Sequence, residues 1–152
     1  MTTNNDMYYN IAGLLSQRCV FNFVIGNRGG GKTFGGKKLV INRFKKTGAQ
    51  FVWVRRYRTE IDTLSDFWAD IKPHFPNDEL TQKGDTLYIN GEPAGYLIAL
   101  STSMQLKSVA FPLVKTVIMD EFIIDKGRIN YLRNEVHVFM ELFETIARMR
   151  DN

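Results

Sequence analysis

Three short apolar runs predict the strands of a buried sheet. They are Cys19 to Ile25, Phe51 to Val54 and Thr116 to Met119. Each run is rich in β-branched or aromatic residues, and each ends at a glycine or at charged residues. This pattern is typical of strands that are covered on both faces.

Four segments with helical spacing or helix-ending residues predict helices between and around these strands. They are Asn10 to Gln17, Lys32 to Lys46, Thr59 to Ile71 and Asn134 to Arg150. Thr47 and the glycine after it end the second of them. Strands that alternate with helices favour an α/β fold with a largely parallel sheet.

One further pair of short strands interrupts this alternation. Thr86 to Asn90 and Tyr96 to Leu100 flank the turn-forming stretch Gly91 to Gly95, which predicts a β-hairpin. Ser101 to Ser108 is predicted to be a polar loop. The expected architecture is therefore a mostly parallel sheet flanked by helices, with a β-hairpin insertion.

Length and composition indicate one globular domain in a reducing compartment. The chain has 152 residues, of which 44% are hydrophobic and 24% charged, which is ordinary for a globular domain. The single cysteine, Cys19, excludes an internal disulfide and a multi-cysteine zinc site. No signal-peptide pattern opens the chain, and no apolar stretch has the length of a membrane span. We therefore expect a cytoplasmic protein that is not secreted and has no membrane partner.

The charge is distributed unevenly along the chain. Eleven Lys and Arg and no acidic residue lie between Met7 and Thr59, whereas nine basic and fifteen acidic residues follow from Glu60 onward. Such a concentrated positive field predicts an anionic partner: nucleotide phosphate, nucleic acid, or both. A solvated basic face is the alternative.

A glycine-rich loop connects the first predicted strand to the following helix. Its residues match G-x-x-x-x-G-K-[ST] and are Gly26, Asn27, Arg28, Gly29, Gly30, Gly31, Lys32 and Thr33. Glycines let the backbone N–H groups surround a phosphate, the lysine supplies charge to the β- and γ-phosphates, and the threonine hydroxyl can bind Mg²⁺. The strand–loop–helix setting favours an ATP-binding site over a flexible glycine turn.

Two acidic residues follow the third predicted strand. Asp120 and Glu121 stand at its carboxyl end, where open α/β sheets bind their ligands. Asp120 can hold Mg²⁺, and Glu121 can polarise a water against the γ-phosphate. This pair is typical of additional-strand ATPases, although Glu121 could also be a solvent-exposed carboxylate at the end of a strand.

Five runs together resemble one family. NFVIGNRGGGKT, FVWVRRYR, VIMDEF, NYLRNEV and ETIARMR are similar in order and spacing to the DNA-packaging ATPases of small, phi29-like podophages. The resemblance covers nearly all of the chain. It implies a P-loop NTPase fold of the additional-strand (ASCE, RecA/FtsK-like) kind.

The resemblance also implies a function. Members of this family form a homo-oligomeric, pentameric ring at the portal vertex of a preformed capsid and use ATP and Mg²⁺ to drive double-stranded DNA inward. Some act with a phage structural RNA. The implied location is the host cytoplasm, on the assembling virion.

Site residues are implied position by position. The glycine loop would bind phosphate, Asp120 would hold magnesium, and Glu121 would be the catalytic base. Arg148 resembles an arginine finger offered to the next subunit, although a cation at a helix end can simply offset the helix dipole. Arg28, inside the loop, competes for the same role in cis, but it could equally contact a neighbouring subunit.

Other cations are candidates for contacts with a neighbouring subunit or with DNA. They are Lys107, Arg55, Arg56, Arg58 and Arg150. The alternative is a solvated surface charge, except for Arg150, which could simply offset the dipole of the helix that it ends.

The chain departs from the family after its closing arginines. Nothing corresponds to the family's sensor strand, which lies between the phosphate-loop strand and the acidic strand, or to its nuclease-like second domain. We therefore expect residues 1–152 to be an ATPase domain that is a fragment without these parts. Two other functions stay open: a small P-loop kinase, and an ATP-binding assembly module with little turnover alone.

Overall fold

The computed structural model describes residues 11–124, 127 and 129–148. Its helices are α1 (Ala12–Leu15), α2 (Lys32–Thr47), α3 (Arg58–Asp62) and α4 (Glu135–Ala147). Its strands are β1 (Gln50–Arg55), β2 (Leu80–Lys83), β3 (Thr86–Ile89), β4 (Glu92–Ala99) and β5 (Val114–Met119). Short 3₁₀ helices span Lys72–His74 and Leu100–Leu106. None of the helices in these described ranges is long and apolar enough to cross a membrane.

The five strands form one sheet in the order β2-β3-β4-β1-β5. The inner strand β1 runs parallel to both of its neighbours, β4 and β5, whereas β3 is antiparallel to β2 and β4. The predicted hairpin is confirmed, with a tighter turn at Asn90 and Gly91, whose φ angles are 52° and 80°. Positive φ at both positions suits a two-residue hairpin. The result is a mixed α/β fold with a parallel core.

Both faces of β1 are buried, which explains its continuous apolar sequence. Successive side chains of a strand point to opposite faces. Phe51 and Trp53 join the core cluster that also contains Val40 and Ile41 of α2. Val52 and Val54 join the cluster that contains Leu142 and Ile146 of α4. Helices α2 and α4 therefore lie on opposite faces of the sheet.

A glycine in β4 makes room for an aromatic side chain of the neighbouring strand β1. Gly95 is paired with Phe51 in the parallel register. A Cβ atom at Gly95 would lie 2.5 Å from the Phe51 ring, which is too close for any side chain. The aromatic ring can therefore cover the strand at this position only because residue 95 is glycine.

The strand predicted at Cys19–Ile25 does not form, and this prediction was wrong. Val20, Phe23 and Ile25 are 74%, 71% and 69% exposed. A strand needs a hydrogen-bonded neighbour, and β5 is an edge strand among the described residues, with β1 as its partner on one side. The segment keeps the sequence of a buried strand without a described strand to pair with.

The helix predicted over Thr59–Ile71 is largely wrong as well, because α3 ends at Asp62. Beyond it, the Asp66 carboxylate accepts a hydrogen bond from the Trp68 amide at 2.9 Å. The Trp68 indole N–H in turn donates to the Thr81 carbonyl at 3.0 Å. These side-chain contacts hold turns that place Trp68 in the core, where a regular helix would not.

Candidate nucleotide-binding site

The glycine loop closes around the ammonium group of its own lysine. Gly29 and Gly31 have φ angles of 80° and 71°, a left-handed conformation that glycine adopts without strain. Lys32 begins α2, and its Nζ donates to the carbonyls of Gly26 and Asn27 at 2.7 Å each. The loop, the lysine and the start of the helix thus form one compact unit. Arg28 lies at the exposed outer side of this loop.

The start of α2 contacts the end of β5. The Thr33 hydroxyl lies 3.1 Å and 3.2 Å from the two carboxylate oxygens of Asp120. Hydroxyl and carboxylate oxygens are the hard ligands that Mg²⁺ prefers. Two residues 87 positions apart in sequence therefore meet at the place where the sequence predicts a metal site, and their donor atoms fit that ion.

Arg55 lies against both acidic residues. Its guanidinium is 3.2 Å from the Asp120 carboxylate, 3.3 Å from that of Glu121 and 3.4 Å from that of Glu60. In the part of the chain that the structure describes, the buried Nε of Arg55 has no hydrogen-bond partner. Arg55 thus neutralises the acidic pair, a contact that the sequence analysis did not identify.

Arg56, the residue after β1, lies on the side of the sheet where α4 packs, since it contacts Glu135. It is 3% exposed and forms a two-pronged ion pair with Glu135, the first residue of α4, at 2.7 Å and 2.8 Å. These hydrogen bonds raise the pKa of Arg56 above its ordinary value. This placement favours an internal role over the expected contact with DNA or a neighbouring subunit.

Glu121 combines an exposed carboxylate with an unusual backbone. Its side chain is 62% exposed, and its φ angle is 54°. For a residue other than glycine, this left-handed conformation costs about 1–3 kcal/mol and persists only where neighbouring contacts enforce it. The Glu121 amide donates to the Asp120 carboxylate at 3.1 Å, which is one such contact.

Two of the other candidate cations meet on the α4 side of the sheet. The Arg148 guanidinium donates to the carbonyl of Lys107. The Lys107 ammonium lies 3.4 Å from the Glu141 carboxylate. Glu144 and Thr145 complete an open cleft around them. The sequence treated Lys107 and Arg148 as separate sites, whereas the structure brings them together.

Of the remaining candidate cations, the structure describes Arg58. Arg58 is partly exposed and pairs with Asp85 and, at 2.8 Å, with Asp62. Arg150 lies outside the described residues.

Comparison with known proteins supports the family resemblance. A family model described as the podovirus DNA encapsidation protein (Gp16) matches residues 3–152. The chain is 43% identical over 148 residues to the DNA packaging protein of Bacillus phage phi29, covering 97% of this chain and 45% of that protein. It is 42% identical over 139 residues to the counterpart from Bacillus phage B103, covering 91% of this chain and 43% of that protein. The chain thus spans less than half the length of these relatives.

Solved structures agree with the sequence comparison. The crystal structure of the N-terminal domain of the DNA packaging ATPase from bacteriophage phi29 superimposes with a TM-score of 0.84 at 44% identity, covering 91% of this chain and 72% of that one. The structure of the phi-28 gp11 DNA packaging motor superimposes with a TM-score of 0.82 at 27% identity, covering 95% of this chain and 47% of that one. The fold is therefore that of the N-terminal domain of a phage DNA-packaging ATPase. More narrowly, the chain belongs to the podovirus Gp16 DNA encapsidation family.

Proposed function

We propose that this domain hydrolyses ATP to drive double-stranded viral DNA into a preformed capsid. The single observation that carries the proposal is the contact between Thr33 and Asp120 at 3.1 Å. It joins a phosphate-loop helix to an acidic strand end, as an ATP–Mg²⁺ site of the additional-strand type requires. A phosphate-release assay, with and without DNA and with candidate phosphate acceptors, tests it against the kinase alternative, which family membership does not favour.

Each residue of the site has a chemical task under this proposal. The loop amides and the start of α2 bind phosphate, and Lys32 exchanges its two loop carbonyls for phosphate oxygens. Thr33 and Asp120 hold Mg²⁺, which neutralises charge on the phosphates. Glu121 accepts a proton from the attacking water; its contact with Arg55 engages one carboxylate oxygen and leaves the other for this role.

The assembled motor is the proposed setting. One solved relative is described as the viral genome packaging motor assembly of phi29, with a TM-score of 0.83 at 43% identity. By this likeness we infer a pentameric ring at the portal vertex, acting in the host cell on the assembling virion, with a structural RNA as a further partner. Lys107 and Arg148, on the face opposite α2, suit contact with a neighbouring subunit's nucleotide.

Among the described residues, β5 pairs with a strand on one side only, and this free edge supports a proposal about domain completeness. A sensor strand paired with β5 would also give the exposed segment 19–25 a neighbour, and a nuclease-like domain would follow. The same free edge favours the alternative of an ATP-binding module with little turnover until a partner completes it. Phosphate release that appears only in the assembled motor would support that alternative.

Lys32→Ala should remove most ATP binding. The variant deletes the charge that faces the β- and γ-phosphates, and no other lysine lies in the loop. Isothermal titration with ATP–Mg²⁺ measures the loss, with Lys72→Ala as a control at an exposed lysine that pairs with Asp66. Unchanged ATP affinity in Lys32→Ala would exclude the loop as the phosphate site.

DNA binding by this domain should be weak, independent of sequence and strongly dependent on salt. The cationic stretch between Arg18 and Arg58 can contact phosphates but contains no base-reading motif. Fluorescence anisotropy with unrelated duplexes at increasing salt concentration measures this dependence. A preference for one sequence, or binding that survives high salt, would contradict the expectation.

A further inference from the structure

A buried arginine donates hydrogen bonds to the peptide backbone that follows Asp120. Arg56 donates to the carbonyl of Glu121 at 3.1 Å and to that of Phe122 at 2.9 Å. Glu121 is the residue whose φ angle of 54° lies in the left-handed region. Two consecutive carbonyls on one rigid guanidinium leave this short segment little freedom to relax to an ordinary conformation.

Arg56 itself has no freedom to move. Its Nε and Nη2 groups donate hydrogen bonds to the two carboxylate oxygens of Glu135. Its guanidinium also lies 5.0 Å from the centre of the Tyr131 ring. Glu135 is fixed in turn, because its carboxylate accepts a hydrogen bond from the Leu132 amide at 2.9 Å. The first turn of α4 and the residues before it therefore form a rigid base for the arginine.

We propose that Arg56 is a positioning residue for ATP hydrolysis, which with Glu135 fixes the strained backbone of Glu121 and thereby the direction of its carboxylate. This inference rests on the proposed function, in which Glu121 is the base. Arg55 acts differently, since it binds the Glu121 side chain at 3.3 Å. One arginine contacts the carboxylate itself, while the next holds the main chain that carries it.

Without Arg56, Glu121 can return to an unstrained φ angle, and the rotation of the backbone turns its carboxylate away from the γ-phosphate. The glycine loop leads into α2, which packs on the face of the sheet opposite α4, so we expect its phosphate-binding groups to remain in place. The proposal therefore predicts a loss in kcat with little change in ATP affinity, a division that general destabilisation does not produce.

The test is Arg56→Lys, which keeps the charge but cannot reach both carbonyls and both Glu135 oxygens at once. We expect kcat for phosphate release, measured in the assembled motor, to fall by about 10²-fold, the cost of an ångström-scale misplacement. ATP affinity should stay within about threefold. Glu135→Gln, which keeps the shape of the side chain, should lower kcat in the same direction.

Controls separate positioning from stability. Ile71→Val shortens a fully buried side chain in the other core cluster and should lower the melting temperature without changing kcat. The double variant Arg56→Lys/Glu135→Gln should be little worse than the more affected single variant, because both remove one shared network. If the losses in kcat of the two single variants added fully in the double variant, the two residues would not act as one network.

Backbone hydrogen exchange supplies a readout that does not depend on activity. Peptides covering residues 121–124 should exchange at least about tenfold faster in Arg56→Lys and in Glu135→Gln than in wild type. Their exchange rate in Ile71→Val should equal that of wild type. Unchanged exchange there, or a wild-type kcat in folded Arg56→Lys, overturns the proposal. A wild type that binds but never hydrolyses ATP instead overturns the assignment of Glu121 as base, whatever the exchange shows.

Discussion

Arg148→Ala should lower ATP hydrolysis in the assembled ring by about 10³–10⁵-fold, the contribution of an arginine finger where it has been measured. The reason is geometric. Arg148 follows α4 on the face of the sheet opposite α2, so it can serve a neighbour's nucleotide more readily than its own. ATP binding, measured by titration, should be unchanged.

Mixing two inactive variants tests action between subunits. Arg148→Ala combined with Glu121→Gln should recover part of the phosphate release, because some interfaces then pair an intact base with an intact arginine. If the mixture remains inactive while each variant still assembles with wild type, Arg148 does not act on its neighbour. Arg28, exposed in the glycine loop, would then be the better candidate and would act in cis.

Glu121→Gln should bind ATP normally and hydrolyse it about 10²–10⁴-fold more slowly, because general-base catalysis contributes that much. The amide keeps the size of the side chain and its contact with Arg55 but cannot take a proton from water. Single-turnover phosphate release measures the chemical step directly.

A matched control for this substitution is Glu92→Gln, which makes the same change at an exposed residue that begins β4. It should leave the rate unaltered. Normal turnover in Glu121→Gln would remove this residue as the base and leave Glu60, which also contacts Arg55, as the next carboxylate to examine.

Local patterns predicted the elements that depend on local interactions. The helix α2 and the strands β1 and β5 lie within two residues of their expected ends. In each case the apolar period or a stop signal is contained in the segment itself. Thr33 and Asp120 were both predicted as Mg²⁺ ligands, and their side chains lie 3.1 Å apart although the strand expected before the glycine loop does not form.

Long-range pairing set the limits of sequence reasoning. Cys19–Ile25 has the composition of a strand, but composition does not supply the neighbour that a strand needs. The ion pair of Arg56 with Glu135 joins residues 79 positions apart, which no local pattern indicates. One signal was available: adjacent residues at the end of a strand tend to point to opposite faces, so Arg55 and Arg56 could be expected to contact different groups.

Two features affect how the isolated chain behaves in solution. They are the edge of β5 that has no partner strand in the part of the chain that the structure describes, and the exposed apolar side chains of Val20, Phe23 and Ile25. Proteins self-associate into amyloid-like or amorphous aggregates through open strand edges and through exposed apolar surface. Such association needs neither nucleotide nor Arg148. Multimers of the purified chain are therefore evidence of a functional ring only when ATP promotes them.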